Sequence, residues 1–196
     1  MRPILVASIL LCAACSRQSP DAVTSQSTAP PPVPATTETP MPPPEAQTPV
    51  GATAELKATQ GNGVSGTLML APAGNGVHIT GTIKGLPPGS THGFHVHEKG
   101  DCSAPDASSA GPHFNPTQQP HGDPAGDSHH LGDIPNVTAD ASGSAELDVT
   151  VAGLTLRTGQ ADDIVGKSIV VHEKADDYKS QPAGDSGNRI ACGIIK

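Results

Sequence analysis

Ala145-Glu146-Leu147-Asp148-Val149-Thr150-Val151 carries an apolar side chain at every second residue and a polar one between each pair. Successive side chains of a β-strand point to opposite faces, so this alternation predicts a strand with one buried and one wet face. The same period runs through Val64, Gly66, Leu68 and Leu70, and through Val77, Ile79 and Ile83. Turn residues punctuate these runs at Gly61-Asn62-Gly63, Gly74-Asn75-Gly76, Pro87-Pro88-Gly89 and Ser142-Gly143. Shorter runs predict further strands at Ala54–Thr59, His92–His97, Lys167–His172 and Ile190–Ile195. No window carries a long amphipathic helix. Many short strands with tight turns predict an all-β sandwich or small barrel. Two long stretches, Glu98–Asn136 and Glu173–Asn188, interrupt the rhythm. Loops of that length inside a compact domain are usually functional.

The chain has 196 residues, enough for one domain plus extra segments. Its 11 Lys and Arg against 19 Asp and Glu give a net charge of −8. That excludes a nucleic-acid partner, which would need a basic stripe along the phosphates. Aromatic residues make up 2% of the chain, with no Trp, so base-stacking platforms are excluded too.

The amino terminus reads as a targeting segment. Met1-Arg2 is a minimal basic start, and Pro3–Ala14 is apolar apart from Ser8. That is the length of a signal-peptide core and too short to span a bilayer. The end, Leu11-Cys12-Ala13-Ala14-Cys15, resembles a bacterial lipoprotein signal, in which the last cysteine is lipidated and becomes the first residue. Ordinary cleavage near Ala14 is the alternative. Both routes export the protein. With a lipid at Cys15, the protein would meet a membrane only through that anchor. The periplasm or cell envelope is then the expected location, and Ser16 after the lipid cysteine favours the outer membrane. Residues 16–50 hold ten of the 21 prolines among Thr, Ser, Ala and Gln. Such a stretch buries too little apolar surface to offset the entropy of ordering, and predicts an extended tether. Fully extended, it would reach roughly 110 Å. Residues 51–196 are the expected folded domain.

If Cys12 leaves with the signal and Cys15 carries lipid, only Cys102 and Cys192 remain of the four cysteines. An exported protein then has one intramolecular pairing open to it. Closing that loop would stabilise the fold by about 4–5 kcal/mol in a chain-entropy account.

Histidine is the outlier: eight of the nine lie between His78 and His130. In His92-Gly93-Phe94-His95-Val96-His97, His95 and His97 share one strand face while Phe94 and Val96 share the other. Two imidazoles two residues apart can bind one metal ion. His92 has the parity of Phe94 and is expected to be a structural, hydrogen-bonded residue. His113 follows in Gly111-Pro112-His113-Phe114, then His121, His130 and Asp133, and His172 ends the apolar run Ser168-Ile169-Val170-Val171. Imidazole suits copper and zinc, and three His with one carboxylate suit tetrahedral zinc. A zinc lyase built on three His and an open coordination position would explain the first histidines but not the second set. His78 is expected on the surface and Asp177 in a loop.

Five segments together resemble the copper,zinc superoxide dismutase family, most closely its bacterial periplasmic branch. They are Gly93–Glu98, Gly111–Pro116, His130–Asp133, Val171–Asp177 and Gly187–Gly193. The resemblance covers residues 52 to 196. It implies a flattened eight-stranded antiparallel Greek-key barrel with two long functional loops. It implies one copper and one zinc per subunit. His95, His97, His113 and His172 match the copper ligands. His113, His121, His130 and Asp133 match the zinc ligands, with His113 as the bridging imidazolate. Arg189 matches the arginine that attracts superoxide. Asp176 matches the carboxylate that orients a histidine of each metal, and Cys102 and Cys192 match the intrasubunit disulfide. The implied activity converts superoxide to oxygen and hydrogen peroxide, with Arg189 and His113 as the catalytic side chains. From Gly51 onward, 9 Lys and Arg stand against 16 Asp and Glu, a net of −7. Attraction of an anion must therefore be local, and Lys174 and Lys179 are candidates to assist Arg189. Cys102 lies only five residues after His97, and the Glu173–Asn188 loop is short, both unlike the eukaryotic pattern. The subunit state, monomer or homodimer, stays open. The other function compatible with these residues is an exported protein that buffers or delivers copper without dismutase activity.

Overall fold

The computed structural model describes residues 51–196. The expected signal segment 1–15, its Cys15, and the tether 16–50 lie outside the described residues.

Eight strands form one antiparallel sheet rolled into a nearly closed barrel. They are β1 (Ala52–Ala58), β2 (Ser65–Ala73), β3 (Gly76–Lys84), β4 (Thr91–His97), β5 (Asp133–Thr138), β6 (Ser144–Ala152), β7 (Ser168–His172) and β8 (Arg189–Ile194). Their order is β5-β4-β7-β8-β1-β2-β3-β6, so β3 pairs with β6 and β4 with β7 across long connections. That is the Greek-key crossing the resemblance implied. The only helical turn among the described residues is a 3-10 turn at Ser108–Ala110.

The period-two runs fold as predicted. Ala145, Leu147 and Val151 of β6 are buried, while Glu146, Asp148 and Thr150 face water. Leu56, Leu68, Leu70, Ile79 and Ile83 meet them in the core, around Phe94. β4 and β7 depart from the alternation, because nearly all their residues are buried. One face of each, Phe94 and Val96 with Ile169 and Val171, enters the core. The other face carries His95, His97, Val170 and His172, and it is covered by the two long loops. Val170 packs under the first loop with Ala107, Ala110 and Cys192.

One strand was not predicted. The first four of the six residues of β5 fall within the stretch read as the loop Glu98–Asn136. Its two buried apolar residues, Ile134 and Val137, are three apart, out of step with a period of two. A register shift between His92 and Phe94 on β4 restores their common face. Pro135 lacks an N–H, and β5 tolerates it as the terminal strand of the sheet.

Cys102 and Cys192 form a disulfide, which ties the start of the first loop to β8.

Candidate metal centre

The first loop brings His113, His121 and His130 over the outer face of β4, beside His172 at the end of β7. His95 and His97 are 0% and 1% exposed, although they point away from the barrel core. Two groups of donors result, and within each the donor atoms lie within 4.8 Å of one another. The first is His95, His97, His113 and His172; the second is His113, His121, His130 and Asp133. All seven residues are buried.

Hydrogen bonds fix which nitrogen of each ring stays free. His97 donates from Nδ1 to the Gly111 carbonyl at 2.8 Å, which leaves Nε2 facing His172 Nε2 at 3.4 Å. His172 Nδ1 faces the Gly187 carbonyl at 3.3 Å and Ser186 Oγ at 3.1 Å. His95 donates from Nε2 to Asp176 Oδ2 at 2.8 Å, and His121 donates from Nε2 to Asp176 Oδ1 at 2.9 Å. His113 Nδ1 lies 2.8 Å from Asp133 Oδ1. Four buried nitrogens have no hydrogen-bond partner: His95 Nδ1, His113 Nε2, His121 Nδ1 and His130 Nδ1. Each costs about 1–3 kcal/mol if left so. His121 Nδ1 also approaches Asp133 Oδ2 at 3.1 Å and His130 Nδ1 approaches Asp133 Oδ1 at 3.4 Å. Buried lone pairs that converge in this way fit a cation. Four imidazoles suit copper, and three imidazoles with a carboxylate suit tetrahedral zinc.

The electrostatics agree. Burial pushes His97 and His172 well below the usual imidazole range, helped by the neighbouring histidines. Burial also lowers His113 to about 4, against the opposing pull of its hydrogen bond to Asp133. These rings are neutral at pH 7, as ligands must be. Burial pushes the Asp133 carboxyl up, but the His113 and His130 rings beside it outweigh burial and hold the group ionised, and the His130 N–H donates to Oδ2 at 2.9 Å. Asp176 behaves alike: burial raises it, and bonds from His95, Tyr178 N–H and His121 lower it further.

Asp176 therefore joins one ring of each group. It is itself held by Asn136, whose side chain donates to the Asp176 carbonyl and accepts from its N–H, both at 2.8 Å. Gly184 is required beside it: a Cβ there would sit 1.8 Å from Asp176 Oδ1, and its φ is +64°. Gln181 clamps His121 from the second loop, accepting from its N–H at 3.0 Å and donating to its carbonyl at 2.8 Å. Nothing in the sequence pattern marked Asn136, Gln181 or Ser186.

A cavity of about 430 Å³ opens over the first group, with His97, His113, His172 and Arg189 in its wall. Arg189 donates to the Ala107 carbonyl at 2.7 Å and the Gly111 carbonyl at 2.6 Å, so its guanidinium is fixed by the disulfide-tied loop. The only other charged residue in the wall is Glu98. Lys174 and Lys179 are not part of it. His92 is buried and hydrogen-bonded, from Nδ1 to the His172 carbonyl at 2.8 Å and through Nε2 to Ser90 Oγ. It belongs to neither donor group. Asp177 caps a turn through the N–H groups of Lys179 and Ser180. His78 is half-buried and pairs with Asp148 on the outside of the sheet.

This chain is similar to known proteins in sequence and in fold. The family described as copper/zinc superoxide dismutase matches residues 64–195. Superoxide dismutase (Cu-Zn) 2 of Aquifex aeolicus is 41% identical over 146 residues, which cover 73% of this chain and 85% of that protein. The superoxide dismutase-like protein YojM of Bacillus subtilis is 40% identical over 124 residues, 61% of each chain. Among solved structures, the clock protein EA4 superposes with a TM-score of 0.67 at 38% identity, covering 75% of this chain and 94% of that one. A superoxide dismutase-like protein from Bacillus subtilis gives 0.66 at 35% identity, covering 72% and 95%.

Proposed function

The chain belongs to the copper/zinc superoxide dismutase family, and we propose that it is a dismutase, converting two superoxide ions and two protons to oxygen and hydrogen peroxide. The observation that carries this reading is the pair of buried donor groups sharing His113, with Arg189 aimed into the cavity over one of them. His95, His97, His113 and His172 would hold copper, and His113, His121, His130 and Asp133 would hold zinc. When bound, copper supplies a one-electron couple and zinc a fixed divalent charge.

The chain's own residues do the rest. Arg189 lies at the cavity wall with its charge kept in place by two carbonyls, so it binds and orients a small anion. His113 offers Nε2 toward that cavity while Nδ1 stays engaged with the second donor group. Nε2 is thus the atom at which a proton is held and handed to the reduced substrate. Asp176 and Gly111 fix the His95 and His97 rings, so these ligands need no rotation. The second group, whose four residues are all buried, suits a structural ion.

A Bacillus subtilis relative carries only the description superoxide dismutase-like, which keeps a copper-buffering role as the second reading. The presence of Arg189 and of both donor groups favours the enzyme. The test is direct superoxide decay by the copper- and zinc-loaded protein across a salt series. Fast decay that slows with salt is expected, since positive charge steers the substrate. Trivial decay at full metal occupancy would refute the enzyme and leave copper handling.

We also propose that Met1–Cys15 exports the chain and that Cys15 anchors it by lipid to the outer membrane through the 16–50 tether. Loss of membrane association in Cys15→Ala would support this; unchanged fractionation would refute it.

A further inference from the structure

We propose that Ser186 is a positioning residue for the proposed copper site, setting through His172 how strongly the oxidised metal is favoured over the reduced one. This rests on the reading of His172 as a copper ligand.

Ser186 sits in the second loop and is 2% exposed. Its hydroxyl proton goes to the Ala183 carbonyl at 2.8 Å. A hydroxyl has one donor and two acceptor lone pairs, so what remains toward His172 is acceptor capacity. The partner there is His172 Nδ1, 3.1 Å away. Because His172 Nε2 faces His97 Nε2 and the donor group, Nδ1 carries the ring proton. That N–H is shared between Ser186 Oγ and the Gly187 carbonyl at 3.3 Å, the shorter contact being the hydroxyl. His97, by contrast, gives its N–H to a single carbonyl.

The fold keeps this hydroxyl in place. Lys174 N–H donates to the Ser186 carbonyl at 2.9 Å, which pins the loop to the end of β7. Gly93 on β4 makes the room: a Cβ there would stand 2.9 Å from Ser186 Cβ and 3.1 Å from His95 Cε1. A glycine on one strand and a serine some 90 residues later thus form one device, which no local sequence pattern shows.

An acceptor on the distal N–H of a ligating imidazole makes the other nitrogen a better electron donor. A better donor stabilises the more highly charged, oxidised ion. Removing the hydroxyl must therefore raise the copper potential.

The experiment uses the full chain loaded with copper and zinc, as wild type, Ser186→Ala and Ser186→Cys. Redox titration is followed by the visible absorption and the paramagnetic signal of oxidised copper. The expected result is about threefold more reduced copper in Ser186→Ala at a fixed potential, the scale of part of one neutral hydrogen bond. That equals about 28 mV at 59 mV per tenfold for a one-electron couple. Ser186→Cys falls between, because sulfur is a weak acceptor. Should Ser186→Ala not fold, the serine–cysteine comparison decides alone. Coincident potentials, or an order that ignores acceptor strength, would overturn the proposal, as would a wild type that binds no copper at His172. A shifted potential in a protein without superoxide decay would support Ser186 and refute the dismutase; decay with no shift would do the reverse.

Discussion

Replacing Asp176 with Asn removes one charge and almost no volume, yet it breaks the link between the two donor groups. The carboxylate accepts His95 Nε2–H on Oδ2 and His121 Nε2–H on Oδ1, both within 2.9 Å. An amide has one acceptor oxygen and one NH₂. Whichever way it is placed, one of the two rings faces a donor. That ring must either lose its partner or move its proton to Nδ1, the nitrogen that faces the donor group. A proton there blocks ligation. Loss of such an orienting partner typically lowers metal affinity 10–100-fold, about 1.4–2.8 kcal/mol. The assay is competition between the purified protein and chromophoric chelators, run separately for copper and for zinc. Asp176→Asn is expected to weaken at least one metal by that factor, and Asp176→Ala both. Gly184→Ala is an independent check, because its new Cβ would fall 1.8 Å from Asp176 Oδ1 and push the carboxylate aside. Unchanged affinities for both metals in Asp176→Asn and Asp176→Ala would refute the role given to this residue.

Three further outcomes are expected. Arg189→Ala should slow superoxide decay by roughly tenfold or more and flatten its salt dependence, since it removes the one fixed cation in the cavity wall; an unaltered salt profile would count against it. Gln181→Ala should weaken zinc by about tenfold and leave copper binding unaltered, because its two shortest side-chain bonds go to the His121 backbone and the third, at 3.3 Å, to the Lys179 carbonyl; chelator competition reads both. In the metal-free protein, His113 titrates near 4 when folded and near 6.5 when unfolded. Protons therefore favour the unfolded chain below about pH 6.5, and stability should fall by about 2 kcal/mol between pH 7 and 5 from His113 alone. His97 and His172 add in the same direction, whereas Asp133 and Asp176 begin to contribute only as pH drops through the carboxylate range. Urea unfolding of the metal-free protein against pH measures this, and a flat profile from 7 to 5 would contradict it.

The strand period carried the first part of the site. His95 and His97 could be placed on one face because a strand's parity is rigid, and Phe94 and Val96 named the opposite face as core. Parity says nothing about His113, His121 and His130, which ride on a loop; imidazole and carboxylate chemistry made them candidate ligands, and the resemblance sorted them into two sets. β5 escaped for a related reason. Its pairing with β4 contains a register shift, so Ile134 and Val137 share a face at a spacing that no regular strand shows. Ser186, Gln181 and Asn136 were invisible because each acts on a residue far away in the chain. Small polar residues in a loop are the expected composition of any loop. Charge alone made Lys174 and Lys179 candidates to assist Arg189, and neither lines the cavity, whose charged wall residues are Arg189 and Glu98.

On the proposed dismutase reading, the same centre accounts for how an acidic domain would draw in an anion. The histidines whose pKa is clearly shifted, His97, His113 and His172, are neutral at pH 7, and the centre's two buried carboxylates, Asp133 and Asp176, are held ionised. The site thus holds two ionised carboxylates beside four buried nitrogens that have no hydrogen-bond partner. Two divalent ions against two carboxylates leave an excess of two positive charges, or one if His113 also gives up its last ring proton. Arg189 adds one more, and Glu98 opposes it from the same wall. The field at the cavity mouth is then positive although the domain as a whole carries −7, from 9 Lys and Arg against 16 Asp and Glu. On that reading, attraction at this site would depend on both metals and on Arg189 together. It should vanish with metal removal even where the fold survives.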